Sequence, residues 1–365
     1  MGRRVSALGG AIDWLASDSE RLSWRGVADF DVVEAGLVPL RLPREIFTLL
    51  SPGLKESCQV ATGVRLGFST NATEIRLRAR SSRPCATVTM ISGDHVVSRQ
   101  ITDGGNEVSF GPPGGETVEI WLPHIGRTEV WQVGTNAGAS IELLPTSGKH
   151  WVTYGSSITQ GIHVDDPAMT WSAQVARHQG FDLVNLGFAS EAHLDPAVAH
   201  HMAEIPADIV TIASGINVYI NASMSLRTYR SALLEFIRIV RSGHPEVPIV
   251  VLGAIASPPR EDTPCHPRAI PGAVRRRLAR VDRLARIDGL FGPTLMDLRE
   301  ATAEAVATLT VRGDDRLCYV DGRELLGVDD KHALVDDLHP GQVGNDLIAE
   351  RYRAAVLRHC GQDWS

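Results

Sequence analysis

What the sequence lacks narrows its class before any motif is read. Cysteine is scarce: Cys58, Cys85, Cys265, Cys318 and Cys360 stand singly and are odd in number. Neither a disulfide framework nor a CxxC metal knuckle follows from them. An excess of positive charge is missing too, since 36 Lys and Arg face 43 Asp and Glu for a net charge of -7. That balance gives no polyanion-steering field and argues against a nucleic-acid partner. No apolar run reaches the roughly eighteen residues that a membrane span needs. The opening MGRRVSALGGAIDWLASDSE is interrupted by Asp13 and followed by acids, unlike a signal-peptide core. These absences predict a cytoplasmic protein with no membrane partner. Repeats and low-complexity tracts are also absent. What remains is 365 residues, 43% hydrophobic and 22% charged, which excludes disorder, collagen and coiled coil and suits two cores better than one.

The two halves follow different patterns. From about Val64 to Leu144, short alternating runs such as EIRLRAR, TVTMIS and TVEIWLP are separated by Gly93-Asp94, Asp103-Gly104-Gly105-Asn106 and Pro112-Pro113-Gly114-Gly115. Period-two alternation between tight-turn residues predicts an all-β, jelly-roll-like sandwich over residues 1–147. After a Pro/Thr/Ser/Gly linker near Pro145–Lys149 the strands become unbroken apolar runs: WVTYG, FDLVNLG, DIVTIASG and PIVVLGAI. Helix-length amphipathic segments separate them, at Trp171–His178, Pro196–Glu204, Ser225–Arg241, Gly272–Ile287, Pro293–Leu309 and Gly341–Arg358. Strands buried on both faces and joined by helices predict a three-layer α/β/α domain with a parallel, flavodoxin-like sheet over residues 148–365.

In such a sheet, chemistry gathers at the carboxyl ends of the strands. The first run ends Gly155-Ser156-Ser157-Ile158-Thr159, which exposes the Ser157 hydroxyl at a helix start and points its N–H toward an incoming oxyanion. The second ends at Gly187, where a missing side chain allows close approach to a backbone N–H. The third ends Gly215-Ile216-Asn217 and supplies a carboxamide. Asp336-Asp337-Leu338-His339-Pro340 places a carboxylate three residues before an imidazole, ahead of the last helix.

These four ordered blocks, GSSIT, the glycine of NLG, GxN and DxxHP, resemble those of the SGNH superfamily, the GDSL-type esterases and lipases. The resemblance covers Trp151 to about Arg358. It implies Ser157 as nucleophile, His339 as its base and Asp336 as the group that orients His339. The implied oxyanion hole joins the backbone N–H groups of Ser157 and Gly187 to the Asn217 side chain. Two positions depart from the family pattern: Ser156 and Val218 stand where aspartates are usual, at sites needed neither for attack nor for proton transfer. The two-domain layout is also similar to a smaller group with a leading β-sandwich. That group includes sugar deacetylases and a GDSL-type salicylyl acyltransferase of tetracycline-type polyketide biosynthesis.

Each residue also has a plainer reading. Ser157 can serve as a helix N-cap, Asn217 as a turn residue, and Asp336 as a cap of the final helix. Adjacent His200 and His201 point to different sides of a helix, so no metal site follows from them. The basic segment holding Arg275, Arg276, Arg277, Arg280, Arg283 and Arg286 reads as a solvated helix face. His163, His193 and His266 fall in post-strand loops and are candidates to line the pocket, though each reads first as ordinary surface. The proline-containing loop Ser257–Gly272 is a candidate pocket wall or lid. Taken together, the blocks predict an acyl enzyme on Ser157 with no metal and no cofactor. It would move an acyl group, such as an aryl (salicylyl) one, from a small-molecule donor such as acyl-CoA to a hydroxyl of a small natural product. An ester hydrolase and a non-catalytic glycan-binding protein are the alternatives.

Overall fold

The fold was obtained as a computed structural model that describes residues 11–145, 148–265 and 292–361. The chain divides into two compact units: 1–40 with 59–146, and 41–58 with 147–365.

Among the described residues of the first unit every strand pairing is antiparallel, within two sheets of six strands each. One sheet runs in the order Asp29–Val33, Gly36–Leu40, Thr128–Asn136, Ile75–Ser81, Asn106–Gly111, with Ile12–Ala16 also paired to Thr128–Asn136. The other runs Ile141–Leu143, Arg65–Thr70, Thr117–Trp121, Ala86–Ser92, His95–Ile101, with Ser23–Arg25 paired to Arg65–Thr70. Alternation buries Ile75, Leu77 and Ala79 of one sheet with Phe68, Val88, Met90 and Ile120 of the other, as two inner faces of a sandwich require. Gly93, at φ 57°, turns Ala86–Ser92 into His95–Ile101 through a two-residue loop, the hairpin its turn chemistry predicts. The strands between Ile12 and Leu40 escaped the sequence reading. They are three to five residues long and many of their positions are only half-buried, so alternation has little length in which to show.

The second unit holds a parallel sheet: β1 (His150–Gly155), β2 (Asp182–Gly187), β3 (Ile209–Ala213), β4 (Ile249–Leu252) and β5 (Leu317–Val320). The spatial order β2-β1-β3-β4-β5 reverses direction at β1/β3, the switch point where open α/β sheets place their sites. Among the described residues beyond 148, its α-helices are α1 (Ser157–Gln160), α2 (Trp171–Gln179), α3 (Pro196–Glu204), α4 (Ile216–Asn221), α5 (Leu226–Gly243), α6 (Leu295–Val311), α7 (Gly322–Leu325) and α8 (Gln342–Cys360). Ser225 caps α5 by accepting from Thr228 N–H, and Thr294 with Asp297 forms a capping box on α6. Both caps are of the residue types that start helices. Strand β5 went unread because its four residues are too short a run to stand apart. The predicted helix Gly272–Ile287 with its arginines, His266 and the far part of the Ser257–Gly272 loop lie outside the described residues.

Two features depart from the sequence reading. Residues 41–58, expected with the sandwich, cluster with the α/β unit, because the buried Arg41 side chain donates to backbone carbonyls of β2. Cys318 of β5 and Cys360 at the end of α8 form a disulfide with Cα atoms 5.4 Å apart. Nothing in five scattered cysteines singled out that pair. Among the described residues, no helix is long and apolar enough to cross a membrane.

Candidate active site

The β1–α1 turn sets Ser157. Ser156 adopts an extended backbone and caps α1, its Oγ accepting from Ile158 N–H at 3.2 Å. The N-cap role considered for Ser157 therefore falls to its neighbour. Ser157 is left at the first helical position, where a backbone N–H has no intrahelical acceptor. Its Oγ lies 2.9 Å from His339 Nε2.

His339 is held from both sides. Its Nδ1 is 2.8 Å from Asp336 Oδ2, and its backbone N–H donates to Asp336 Oδ1 at 2.8 Å. Leu338 N–H donates to the same oxygen at 3.2 Å. Burial pushes the Asp336 carboxyl up. The hydrogen bonds from the His339 side chain and from the two backbone amides outweigh it and hold the group below the usual carboxylate range. Asp336 thus spends its oxygens on His339 and Leu338, while α8 starts after Gly341 without a side-chain cap. With Nδ1–H directed at a carboxylate, Nε2 is the acceptor facing Ser157, the tautomer a general base requires.

Asn217 sits in the first turn of α4, just past Gly215 at φ 108°. Only glycine takes that backbone readily, so the glycine of GxN lets β3 turn into the helix. The Asn217 carboxamide is satisfied when Oδ1 accepts from Glu191 N–H at 3.1 Å and Ala192 N–H at 2.9 Å. This orientation turns the amide N–H donors away from those two groups.

Gly187 requires a correction. Its N–H donates to Asn185 Oδ1 at 2.7 Å inside the protein, so it is not presented to a substrate oxygen. A Cβ here would come within 2.5 Å of Gln160 N and 2.8 Å of Thr159 C. The glycine is needed because the end of β2 presses against α1. Asn185 completes the joint, donating to Thr159 O at 3.0 Å and Ser172 Oγ at 2.8 Å.

Some supporting residues, Ser190 and Asn221 among them, gave no sequence signal. Ser190, in the loop after β2, adopts φ 64°, uncommon for a residue other than glycine; Asn221 Nδ2 donates to its carbonyl at 3.0 Å. Asp337 adopts φ 57°. Its carbonyl accepts from Ser257 Oγ at 2.6 Å and from Arg260 at 3.0 Å, so the described start of the proline-containing loop braces the backbone next to His339. The His163 ring lies 5.1 Å from that of His339, where a pocket-lining histidine would stand. Donor atoms of His163, Asp336 and His339 come within 4.8 Å of one another, the grouping among the described residues that could hold a metal ion. His201 is buried, and burial lowers its pKa to about 4. Val218, where an aspartate is usual, is fully buried.

Residues 148–261 match the GDSL-like lipase/acylhydrolase family. The whole chain is similar to the salicylyl-acyltransferase SsfX3 from a tetracycline biosynthetic pathway, at 26% identity and TM-score 0.80 over 95% of this chain and 97% of that one. A GDSL-like lipase from Bacteroides ovatus shares the fold at 20% identity and TM-score 0.72, covering 95% and 98%. A family two carbohydrate esterase from Cellvibrio japonicus shares it at 13% identity and TM-score 0.61, covering 96% and 98%. No curated protein sequence matches the chain. The family match over residues 148–261 and the likeness to SsfX3 support the SGNH superfamily and, at the level of class, acyl-transfer or hydrolase activity; the other two likenesses show the fold.

Proposed function

With an SGNH-type α/β domain as the premise, we propose that the protein is a serine-dependent acyltransferase that carries the acyl group on Ser157. The observation that carries this reading is the unbroken line Asp336 Oδ2, His339 Nδ1, His339 Nε2, Ser157 Oγ, with contacts of 2.8 and 2.9 Å.

In the first half-reaction Ser157 Oγ bonds to the acyl carbon of a thioester such as an acyl-CoA, and His339 Nε2 takes the hydroxyl proton. The carbonyl electron pair moves onto oxygen, where the N–H of Ser157 and the Asn217 amide are placed to donate. Collapse breaks the C–S bond, and the thiolate leaves with the proton from His339. In the second half an alcohol gives its proton to His339 and attacks the acyl-serine, which regenerates Ser157 and yields the ester. Asp336 stabilises the imidazolium in both halves.

Transfer to an alcohol, rather than to water, is favoured by the likeness to SsfX3 across both units. Transfer outruns hydrolysis only where an acceptor is held in attack geometry and shielded from solvent. Use of acyl-CoA fits a cytoplasmic enzyme, in which the Cys318–Cys360 pair would be reduced. The test is incubation with an aryl-CoA and a panel of polyketide and glycoside alcohols, with chromatographic measurement of ester against free acid. Ester as the main product with at least one alcohol is expected; free acid alone across the panel would make the protein an esterase.

A further inference from the structure

Every residue of the catalytic line lies beyond position 150, yet the chain departs from its sandwich at Arg41 and buries that side chain in the α/β unit. Arg41 is 1% exposed. One nitrogen donates to Asn185 O at 2.9 Å and Gly187 O at 2.6 Å, and another to Ser57 O at 2.7 Å. Its carbon sits 4.7 Å from the centre of the Phe188 ring. A buried guanidinium is costly to desolvate, and desolvation lowers the pKa of this one to about 9; such a group persists where it fixes a particular arrangement.

What Arg41 fixes is the root of the loop that leaves β2. Phe188 N–H donates to Gly155 O at 2.7 Å, which joins this root to the end of β1 just before the Ser157 turn. Further along, Ser51 Oγ, from the same excursion, donates to Glu191 Oε2 at 2.8 Å. The same loop surrounds the Asn217 carboxamide: in one amide orientation Phe188 O accepts from its Nδ2 at 3.3 Å, and in the other the backbone N–H groups of Glu191 and Ala192 donate to its Oδ1. Residues 41–58 therefore grip the 188–192 loop at both ends, and that loop aims Asn217.

We propose that Arg41 is a positioning residue for oxyanion stabilisation, acting through the 188–192 loop on Asn217. The inference rests on the acyl-serine reading above. A planar fork with a stacking face suits two neighbouring carbonyls and a ring at once, which a lysine ammonium cannot match.

The test follows hydrolysis of p-nitrophenyl acetate by wild type, Arg41→Lys, Arg41→Gln, Asn217→Ala and Arg41→Lys/Asn217→Ala, with circular dichroism as the check on folding. Arg41→Lys is expected to lower kcat about 10- to 100-fold, with KM nearly unchanged and Arg41→Gln worse. Because Arg41 acts through Asn217, the double variant should lose no more than Asn217→Ala alone. Unchanged kcat, losses that multiply in the double variant, or a fall that only tracks the unfolded fraction would overturn the proposal. Should neither Arg41 variant fold, Ser51→Ala at the far grip decides: a kcat loss at constant KM is expected, and wild-type kcat overturns it. Wild-type protein that resists fluorophosphonate would bring down both readings. Normal labelling with undisturbed Arg41 variants would bring down this one alone.

Discussion

Asp336 and Asp337 are chain neighbours with opposite commitments. Asp336 turns its carboxylate onto the ring and backbone of His339. Asp337, at φ 57°, has its carbonyl held by Ser257 and Arg260. Only one of two adjacent carboxylates can therefore serve the imidazole, and the backbone decides which.

Asp336→Asn should leave the protein folded and lower kcat by about 10²–10⁴, because an amide stabilises the wrong tautomer and no imidazolium. Asp337→Asn should stay within about threefold of wild type, since asparagine tolerates the left-handed backbone. Steady-state kinetics on one ester decides it, and a larger loss at Asp337 would reassign the pair.

Asn217→Ala should lower kcat by about 10²–10³ with KM little changed, because its amide donates to oxygen only as charge develops there. Gly187, whose N–H is occupied by Asn185, belongs to the packing of β2 against α1, so Gly187→Ala should cost stability before it costs chemistry. Comparing kcat with KM for Asn217→Ala, and melting temperature with kcat for Gly187→Ala, checks both. A KM effect without a kcat effect at Asn217 would make it a substrate contact.

Three blocks of the site were legible in the sequence because they fall at strand ends, which are marked by glycine and by the close of an apolar run; the fourth, DxxHP, lies ahead of the last helix and was legible from its spacing. Ser157 and Asn217 were singled out the first way, Asp336 and His339 the second. The use of Gly187 was misjudged because a sequence cannot show that Asn185, two residues away, folds back onto its amide. Arg41 was invisible for a related reason: a lone arginine after a short strand looks like surface until the tertiary fold buries it. The parallel sheet was readable from long apolar runs. Four-residue β5 and the short strands between Ile12 and Leu40 were not, since periodicity needs length.

His201 predicts a pH dependence of stability. Its pKa falls from 6.5 in the unfolded chain to about 4 in the fold, through burial. Between those values the unfolded state binds the extra proton, so stability is complete above about 6.5 and is lost as pH falls toward 4. The loss should approach about 3 kcal/mol. Urea titrations across that range should show the slope, and His201→Gln should flatten it; an equal slope in the variant would contradict the assignment.

The Cys318–Cys360 bridge closes a loop with a sequence separation of 42, which contains both Asp336 and His339. Chain-entropy reasoning gives it about 4 kcal/mol at most. Reduction, or Cys318→Ser, should lower the melting temperature while leaving activity at 25 °C nearly intact. Identical melting with and without reductant would mean that the bridge does not form in solution.

The central claim is that Ser157 becomes covalently acylated, with His339 taking its proton. The most direct test is fluorophosphonate labelling followed by peptide mass spectrometry. The account predicts a single adduct on the peptide containing Ser157, absent in Ser157→Ala and strongly slowed in His339→Ala. An unlabelled wild-type protein, or an adduct that persists in Ser157→Ala, would contradict it.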